Sequence, residues 1–469
     1  MKRITWNKWS RRAASGLLGA ALLLGSVLPL RANEAAAPVP AISPWSVSIL
    51  HEGEKYGIFP LSWYDDGTFQ QPIAQDKFQS LLDATASKLD ALGFSKQTKH
   101  ASERPAADAI LTRDTVLRSI YGVLTRYELP ESFEIGRNDP IGYLQQQGIV
   151  NGTEYGLELD RPCTVEQAAV FASRLVRYAY ETAGKGANGL FWKVTKGGNT
   201  LYLLGSIHLG IPDMYPLHKR VTDAFESSDA LWVEANLLSS DREAMNYFMT
   251  LTTYDDGTTL KDHVAPETYA KLQSVAEKLN LPPQSFDALK PWVISGNLSL
   301  TTLMAKPEDI AQATNSGVDL YFTLRAMFAG KPVHELEGVK LQGDLLSSVP
   351  PEQQEKELNQ LLDSILNPNA SEPDPAVQFK NWQLLWAKGD AEGFTKAYSE
   401  SLQLAQNSGT AQRLLGERDR NMANKLSELL EQDGSSTYFI VVGAAHFTVK
   451  DMVIDKLKQK GYDVRFVQE

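Results

Sequence analysis

Cysteine is nearly missing from this chain of 469 residues: Cys163 stands alone. A single thiol excludes an intrachain disulfide framework and a cysteine-rich metal centre. Basic charge is also scarce, with 46 Lys and Arg against 57 Asp and Glu and a net charge of −11. Nucleic acid is therefore a poor partner for the chain. The familiar short catalytic signatures are absent: there is no His-Glu-x-x-His, no Gly-x-Ser-x-Gly and no Walker A loop. Past the N-terminal segment no apolar run is long enough, and free enough of charge, to cross a bilayer. Hydrophobic residues make up 43% and charged residues 22%, so a packed core is expected rather than disorder. The length suits two or three domains.

Residues 1–32 read as a secretory signal. Lys2, Arg3, Lys8, Arg11 and Arg12 form a basic start, 13–30 is apolar, and Ala32 offers a small residue for cleavage. The expected location is secreted or cell-envelope associated, outside the cytoplasm, with no membrane span once the signal is removed. Residues 33–41 are an Ala- and Pro-rich linker. From 42 to 181 the text is helical and weakly repetitive. Three stretches each open an amphipathic helix with a polar residue or proline: Pro72-Ile73 before Phe78, Leu81 and Leu82; Thr112-Arg113 before Val116, Leu117 and Ile120; Pro162-Cys163-Thr164 before a helix from 165 to 180. Residues 182–189 form a second, flexible linker.

At 190 the period changes. Strands are expected at 190–195, 200–207, 230–235, 331–336, 438–442 and 463–467, the first two joined by a Gly-Gly turn. Helical text fills the intervals, including 242–329 and a helix at 449–461. Apolar strands alternating with helices indicate an α/β domain whose sheet is covered on both faces.

Two apolar strands end in the same pattern, Gly205-Ser206-Ile207-His208 and Gly443-Ala444-Ala445-His446. Acidic residues follow two others, at Glu234 and at Glu335 or Glu337. Ligands of open α/β sheets gather beyond the carboxyl ends of the strands, and glycine there permits close approach of the backbone. Two imidazoles and a carboxylate with one position open make a catalytic divalent-metal site. The metal would acidify a bound water and polarise a carbonyl, and a second carboxylate would take the proton. In 417–421, Arg418 or Arg420 is positioned to pair with negative charge at the site, and Gly317-Val318-Asp319 opens a helix that places Asp319 nearby. The structural alternative is a pair of ordinary histidines at strand ends. His334 reads as a surface residue, His51, His100, His218 and His263 as structural, and Trp382 and Trp386 as core.

Two resemblances follow from these residues. The repeats at 42–181 resemble S-layer homology modules, which implies cell-wall polysaccharide as a partner, although the Thr-Arg opening is present only at Thr112-Arg113. The span from about 189 to 469 resembles the TraB/GumN family, whose members include the TIKI metalloproteases. It does so through Gly-Ser-Ile-His at 205–208, the Glu234 strand, Gly317-Val318-Asp319, Leu336-Glu337 with Gln342, Arg420-Asn421, and Gly443-Ala444-Ala445-His446. Ser206 stands where the family often has Thr. That resemblance implies an erythromycin esterase/ChaN-like α/β fold with a mixed sheet and helices, preceded here by the smaller helical repeat domain. It implies a divalent Mn, Co or Zn held by His208, His446 and a glutamate, Glu234 in first place; in the reading adopted here the catalytic residues are Glu337 or Glu234 for the proton and Arg418 or Arg420 for the negative charge. The implied activity is an exported, metal-dependent hydrolase of peptide or protein substrates. The rival expectation is a non-catalytic envelope protein that binds iron, haem or another ligand.

Overall fold

The fold was analysed in a computed structural model, which describes residues 42–97, 110–136, 139–236, 238–239, 241–304, 306–368, 374–404 and 416–467. The expected signal at 1–32 and linker at 33–41 lie outside the described residues. The described residues fall into two units: those within Asn188–Gly210 and Asp223–Glu469, and those within Glu34–Ala187 and Ile211–Thr222.

The smaller unit is helical. Its helices are Val47–Lys55, Gln75–Asp90, Arg113–Leu124, Pro140–Gln146 and Val165–Thr182. Two of the three repeated helix openings are true caps. The Thr112 hydroxyl accepts the Thr115 amide at 3.2 Å, and Thr164 and Gln167 cap one another reciprocally at 3.2 and 3.3 Å. Ala74, which opens the first of these helices, has no side chain able to cap. The openings are tied together by backbone, Ile73 N to Cys163 O and Cys163 N to Leu111 O, both at 2.8 Å. The apolar faces beyond them, among them Leu81, Leu117, Ile120, Ala168 and Leu175, form the core.

The larger unit is built on a six-stranded mixed sheet. Its strands are β1 (Leu190–Lys196), β2 (Asn199–Ser206), β3 (Ala230–Val233), β4 (Val333–Glu335), β5 (Thr437–Gly443) and β6 (Val464–Phe466), in the order β4-β3-β5-β2-β1-β6. The pairs β4–β3, β3–β5 and β5–β2 are parallel, while β1 is antiparallel to both β2 and β6. The two-residue turn from β1 to β2 needs the left-handed backbone of Gly197, at φ 58°. Phe439, Ile440, Val441 and Val442 of β5 are all buried, as are Leu201, Leu203 and Leu204 of β2. That is the signature of a central strand covered on both faces.

Local structure departs from expectation after β5. The helix anticipated at 449–461 is present but shorter at both ends. His446 sits in a short helix of its own, Ala444–Thr448, which ends where Val449 becomes extended. A second helix, Val453–Gln459, follows Asp451 at φ 66°. Trp382 and Trp386 are core residues, as expected. Helix Pro375–Lys388 uses them and Gln383 to brace the first Gly-x-x-His segment: the Trp386 indole donates to Gly205 O, and Gln383 Nε2 donates to Leu209 O at 2.7 Å. Among the described residues no helix is long and apolar enough to cross a membrane.

Candidate functional site

Four adjacent parallel strands deliver the site. Ser206 of β2 pairs with Gly443 of β5, Val233 of β3 pairs with Val441 of β5, and Val233 also pairs with Glu335 of β4. His208, Glu234, Glu337 and His446 therefore all emerge past the carboxyl ends of neighbouring strands, where parallel sheets present their ligands. The emerging loops are pinned by backbone, Glu337 N to Glu234 O and Val318 N to Ile207 O, both at 3.0 Å. Glycine is needed for one of these approaches and leaves room for another. A Cβ on Gly317 would stand 2.2 Å from His208 O, and one on Gly443 would stand 3.1 Å from Glu234 Oε1.

Glu234, only 4% exposed, is the hub. Its Oε1 accepts the Gly443 amide and lies 4.0 Å from His446 Nε2. Its Oε2 accepts from Arg418 Nη2 at 3.1 Å and from Gln342 Nε2 at 3.2 Å. Arg418 also grips Glu337 with two hydrogen bonds, Nε to Oε1 at 2.8 Å and Nη2 to Oε2 at 2.6 Å. All three charged side chains are buried, which is tolerable only because they are paired.

The two histidines are held alike. His208 Nδ1 lies 2.6 Å from Asp319 Oδ2, and His446 Nδ1 lies 2.8 Å from Asp419 Oδ1. Each aspartate comes from the first turn of a helix, Val318–Ala329 or Glu417–Leu430. Ser206 Oγ donates to Asp319 Oδ1 at 2.6 Å, and Asp419 Oδ2 accepts the Gly416 amide at 2.7 Å. A carboxylate on Nδ1 fixes the proton there and leaves Nε2 as the acceptor or ligand nitrogen. Burial opposes protonation of His208, but the charge and hydrogen bond of Asp319, with Glu234 beyond it, win and raise its pKa; burial likewise opposes ionisation of Asp319, yet the imidazole and Ser206 hold its pKa below the usual range. Arg418 is held charged: burial works against it, and the hydrogen bonds to Glu337 and the charges of Glu234, Glu337 and Asp419 overcome that.

This donor set fits a divalent cation in kind and in charge. Both imidazoles have Nδ1 anchored by a carboxylate, and Glu234, Glu337, Asp319 and Asp419 outnumber the one guanidinium of Arg418, an excess that a bound cation would offset. The set is not gathered as a coordination shell. Among the described residues no group of three or more His, Cys, Asp or Glu side chains stands close enough together to hold a metal ion, and both oxygens of Glu234 are engaged by hydrogen bonds.

Most of the residues expected from the sequence meet here: His208, Glu234, Glu337, Arg418 and His446 do, and Asp319 with them. Arg420 does not; its guanidinium pairs at 2.9 Å with Glu417, and both side chains are exposed. Two residues apart on a helix point ~200° away from each other, so only one of the two arginines can face inward. Glu335 turns aside to accept the Asn236 amide at 2.6 Å, which leaves Glu337 as the inward carboxylate. His334 lies against Trp232, ring centroids 4.8 Å apart. Asp419 escaped sequence reading because an acid in a helix's first turn looks like a cap, and with its second oxygen it is one.

Comparison with known proteins gives a consistent family. The profile of the TraB/PrgY/gumN family matches residues 190–465. The chain is similar to uncharacterized protein YbaP of Escherichia coli, 29% identical over 154 residues, which are 33% of this chain and 54% of that protein. It therefore spans about half the length of that relative. It is also similar to a metalloprotease TIKI homolog of Nematostella vectensis, 24% identical over 335 residues, covering 61% of this chain and 69% of that protein. A shorter match, 42% identical over 53 residues, covers 11% of this chain and 10% of metalloprotease TIKI1 of Xenopus tropicalis. No solved structure matches.

Proposed function

This chain belongs to the TraB/PrgY/gumN family, and from that membership and the chemistry at the strand ends we propose that it is an exported, divalent-metal-dependent hydrolase of peptide bonds. One observation carries the reading: two carboxylate-backed imidazoles and two glutamates sharing one arginine meet at the rim of four parallel strands. His208 and His446 would hold the cation (Mn, Co or Zn) through Nε2, with Glu234 as the third donor. When bound, the metal would lower the pKa of a water and polarise a carbonyl. Glu337 takes the proton of the attacking water. Arg418 offsets the charge of both glutamates and fixes where their oxygens point. The resemblance to TIKI metalloproteases favours a peptide substrate. The same reading takes the fold to be erythromycin esterase/ChaN-like, the segment 1–32 as the export signal, and the repeats at 42–181 as contacts to cell-wall polysaccharide.

The test uses the full chain with a mixed peptide library, alone, with Mn, Co or Zn, and with chelator, beside elemental analysis of wild type, His208→Ala and His446→Ala. The expected result is cleavage that chelator abolishes and metal restores, with bound metal and cleavage both lost in each variant. Absence of cleavage under every metal, with equal metal content in all three proteins, would overturn the reading.

A further inference from the structure

The connection from β2 to β3 leaves the larger unit and comes back to it. Residues within Ile211–Thr222 belong to the helical unit, while those within Asn188–Gly210 and from Asp223 onward belong to the other. The excursion begins three residues past His208. It returns through helix Lys219–Glu226 into β3, the strand that Glu234 follows. A hold on the excursion is therefore a hold on the chain that joins two residues of the site.

Inside the helical unit that hold runs along the segment. Lys88, on helix Gln75–Asp90, donates from Nζ to Pro212 O at 2.6 Å. The Lys88 carbonyl accepts from the Tyr180 hydroxyl at 3.0 Å, which ties it to helix Val165–Thr182. Met214 and Tyr215 are buried. Ala187 N donates to Pro216 O and His218 N to Ala187 O, both at 2.9 Å. On the His208 side of the crossing the chain is fixed as firmly. Gln383 Nε2 donates to Leu209 O and Gly210 N to Ala313 O, both at 2.7 Å, and Val318 N donates to Ile207 O at 3.0 Å. Gly210 and Pro212 are two residues apart, about 7 Å of chain at full stretch. So short a link has little slack, and a shift at Pro212 is passed on to Gly210.

We propose that the helical unit regulates the site at the strand ends: by seating residues 211–222 it sets the place of His208, and release of that segment lowers activity. The activity in question rests on the hydrolase reading above, whereas the coupling rests on the path of the chain. With the segment seated, the backbone bonds that flank His208 stay closed and its imidazole stays on Asp319. Lys88 is a positioning residue in this scheme, acting on His208 through Pro212.

The test is hydrogen exchange of the full chain in chelator, read by mass spectrometry, in wild type, Lys88→Met, Lys88→Arg, Met214→Ala and Thr164→Ala. Lys88→Met keeps the stem and removes the bond to Pro212, Lys88→Arg restores a donor, and Met214→Ala hollows the seat. Thr164→Ala loses a helix cap elsewhere in the same unit. Peptides carrying the amides of Gly210 and Val318 should exchange about tenfold faster in Lys88→Met and Met214→Ala, the change expected for loss of one hydrogen bond to a charged group. They should stay near wild type in Lys88→Arg and Thr164→Ala. On a peptide that the metal-loaded wild type cleaves, Lys88→Met and Met214→Ala should lower kcat by about tenfold, within the roughly 10²-fold that a misplacement of ~1 Å can cost, and Lys88→Arg should restore it. Unchanged exchange at Gly210 and Val318 in both Lys88→Met and Met214→Ala, or an equal acceleration in Thr164→Ala, overturns the coupling and leaves the hydrolase reading standing. A wild type that cleaves nothing overturns the hydrolase reading, and the exchange result then decides the coupling.

Discussion

Replacing Arg418 with methionine tests whether one guanidinium makes two buried glutamates tolerable. Glu234 and Glu337 have side-chain exposures of 5% and 3%, and Arg418 of 7%. The three bonds that tie the arginine to them measure 2.6–3.1 Å. Methionine keeps the apolar stem and removes the charge, leaving two carboxylates out of water with only Gln342 and the Gly443 amide as donors. Removing one partner of a buried ion pair costs about 3–5 kcal/mol. For a unit of this size that corresponds to a fall in Tm of roughly 6–20 °C. The assay is scanning calorimetry of the full chain in chelator, so that no bound cation contributes. The unfolding transition that includes the larger unit should move to lower temperature. Arg418→Met combined with Glu234→Gln and Glu337→Gln should recover most of the loss, because no charge is then left uncompensated. A single variant within about 1 kcal/mol of wild type, or a triple variant as unstable as the single, would refute the reasoning.

Two further outcomes follow from the same geometry. Gly317→Ala drives a Cβ to 2.2 Å from His208 O, a main-chain atom that cannot swing aside; it should cost about 1–3 kcal/mol and abolish peptide cleavage, and wild-type activity in this variant would show that His208 need not sit where it does. Cys163 is buried, and that burial raises its thiol pKa to about 12 against the weaker pull of Arg113. The native protein should therefore resist a thiol reagent at pH 8 and react only on unfolding. A raised folded-state pKa means this contribution to stability is fully present below the unfolded thiol's pKa of about 8.5 and is lost as pH climbs toward 12. Rapid labelling of folded protein, or a stability that rises across that interval, would contradict it.

The parts of the site legible in the sequence were those that strands announce. An apolar run ending in Gly-x-x-His fixes where His208 and His446 leave the sheet, and an acid closing an apolar run identifies Glu234. What helices bring was harder to read. Arg418 and Arg420 are equivalent as text, and only the rotation of Glu417–Leu430 about its axis separates the buried guanidinium from the exposed one. Asp419 has the appearance of a cap, because burial has no pattern in sequence. The late start of the final helix, after Asp451, was equally hidden, since the apolar spacing runs on through a residue whose backbone turns left-handed.

The place of β5 has a consequence for how this protein comes into being. The strand synthesised next to last lies in the middle of the sheet, between β3 and β2, and the bond from Ser436 N to Asn199 Oδ1 closes a loop of 237 residues. Until that strand arrives, β2 and β3 have a gap where their common neighbour belongs, and the first histidine has no counterpart. A growing chain of this kind lacks the completed rim of four parallel strands until β5 has been made, and closure over so long a loop is slow. The order of the strands thus works as a clock: the two Gly-x-x-His segments come side by side only once β5 has joined the sheet.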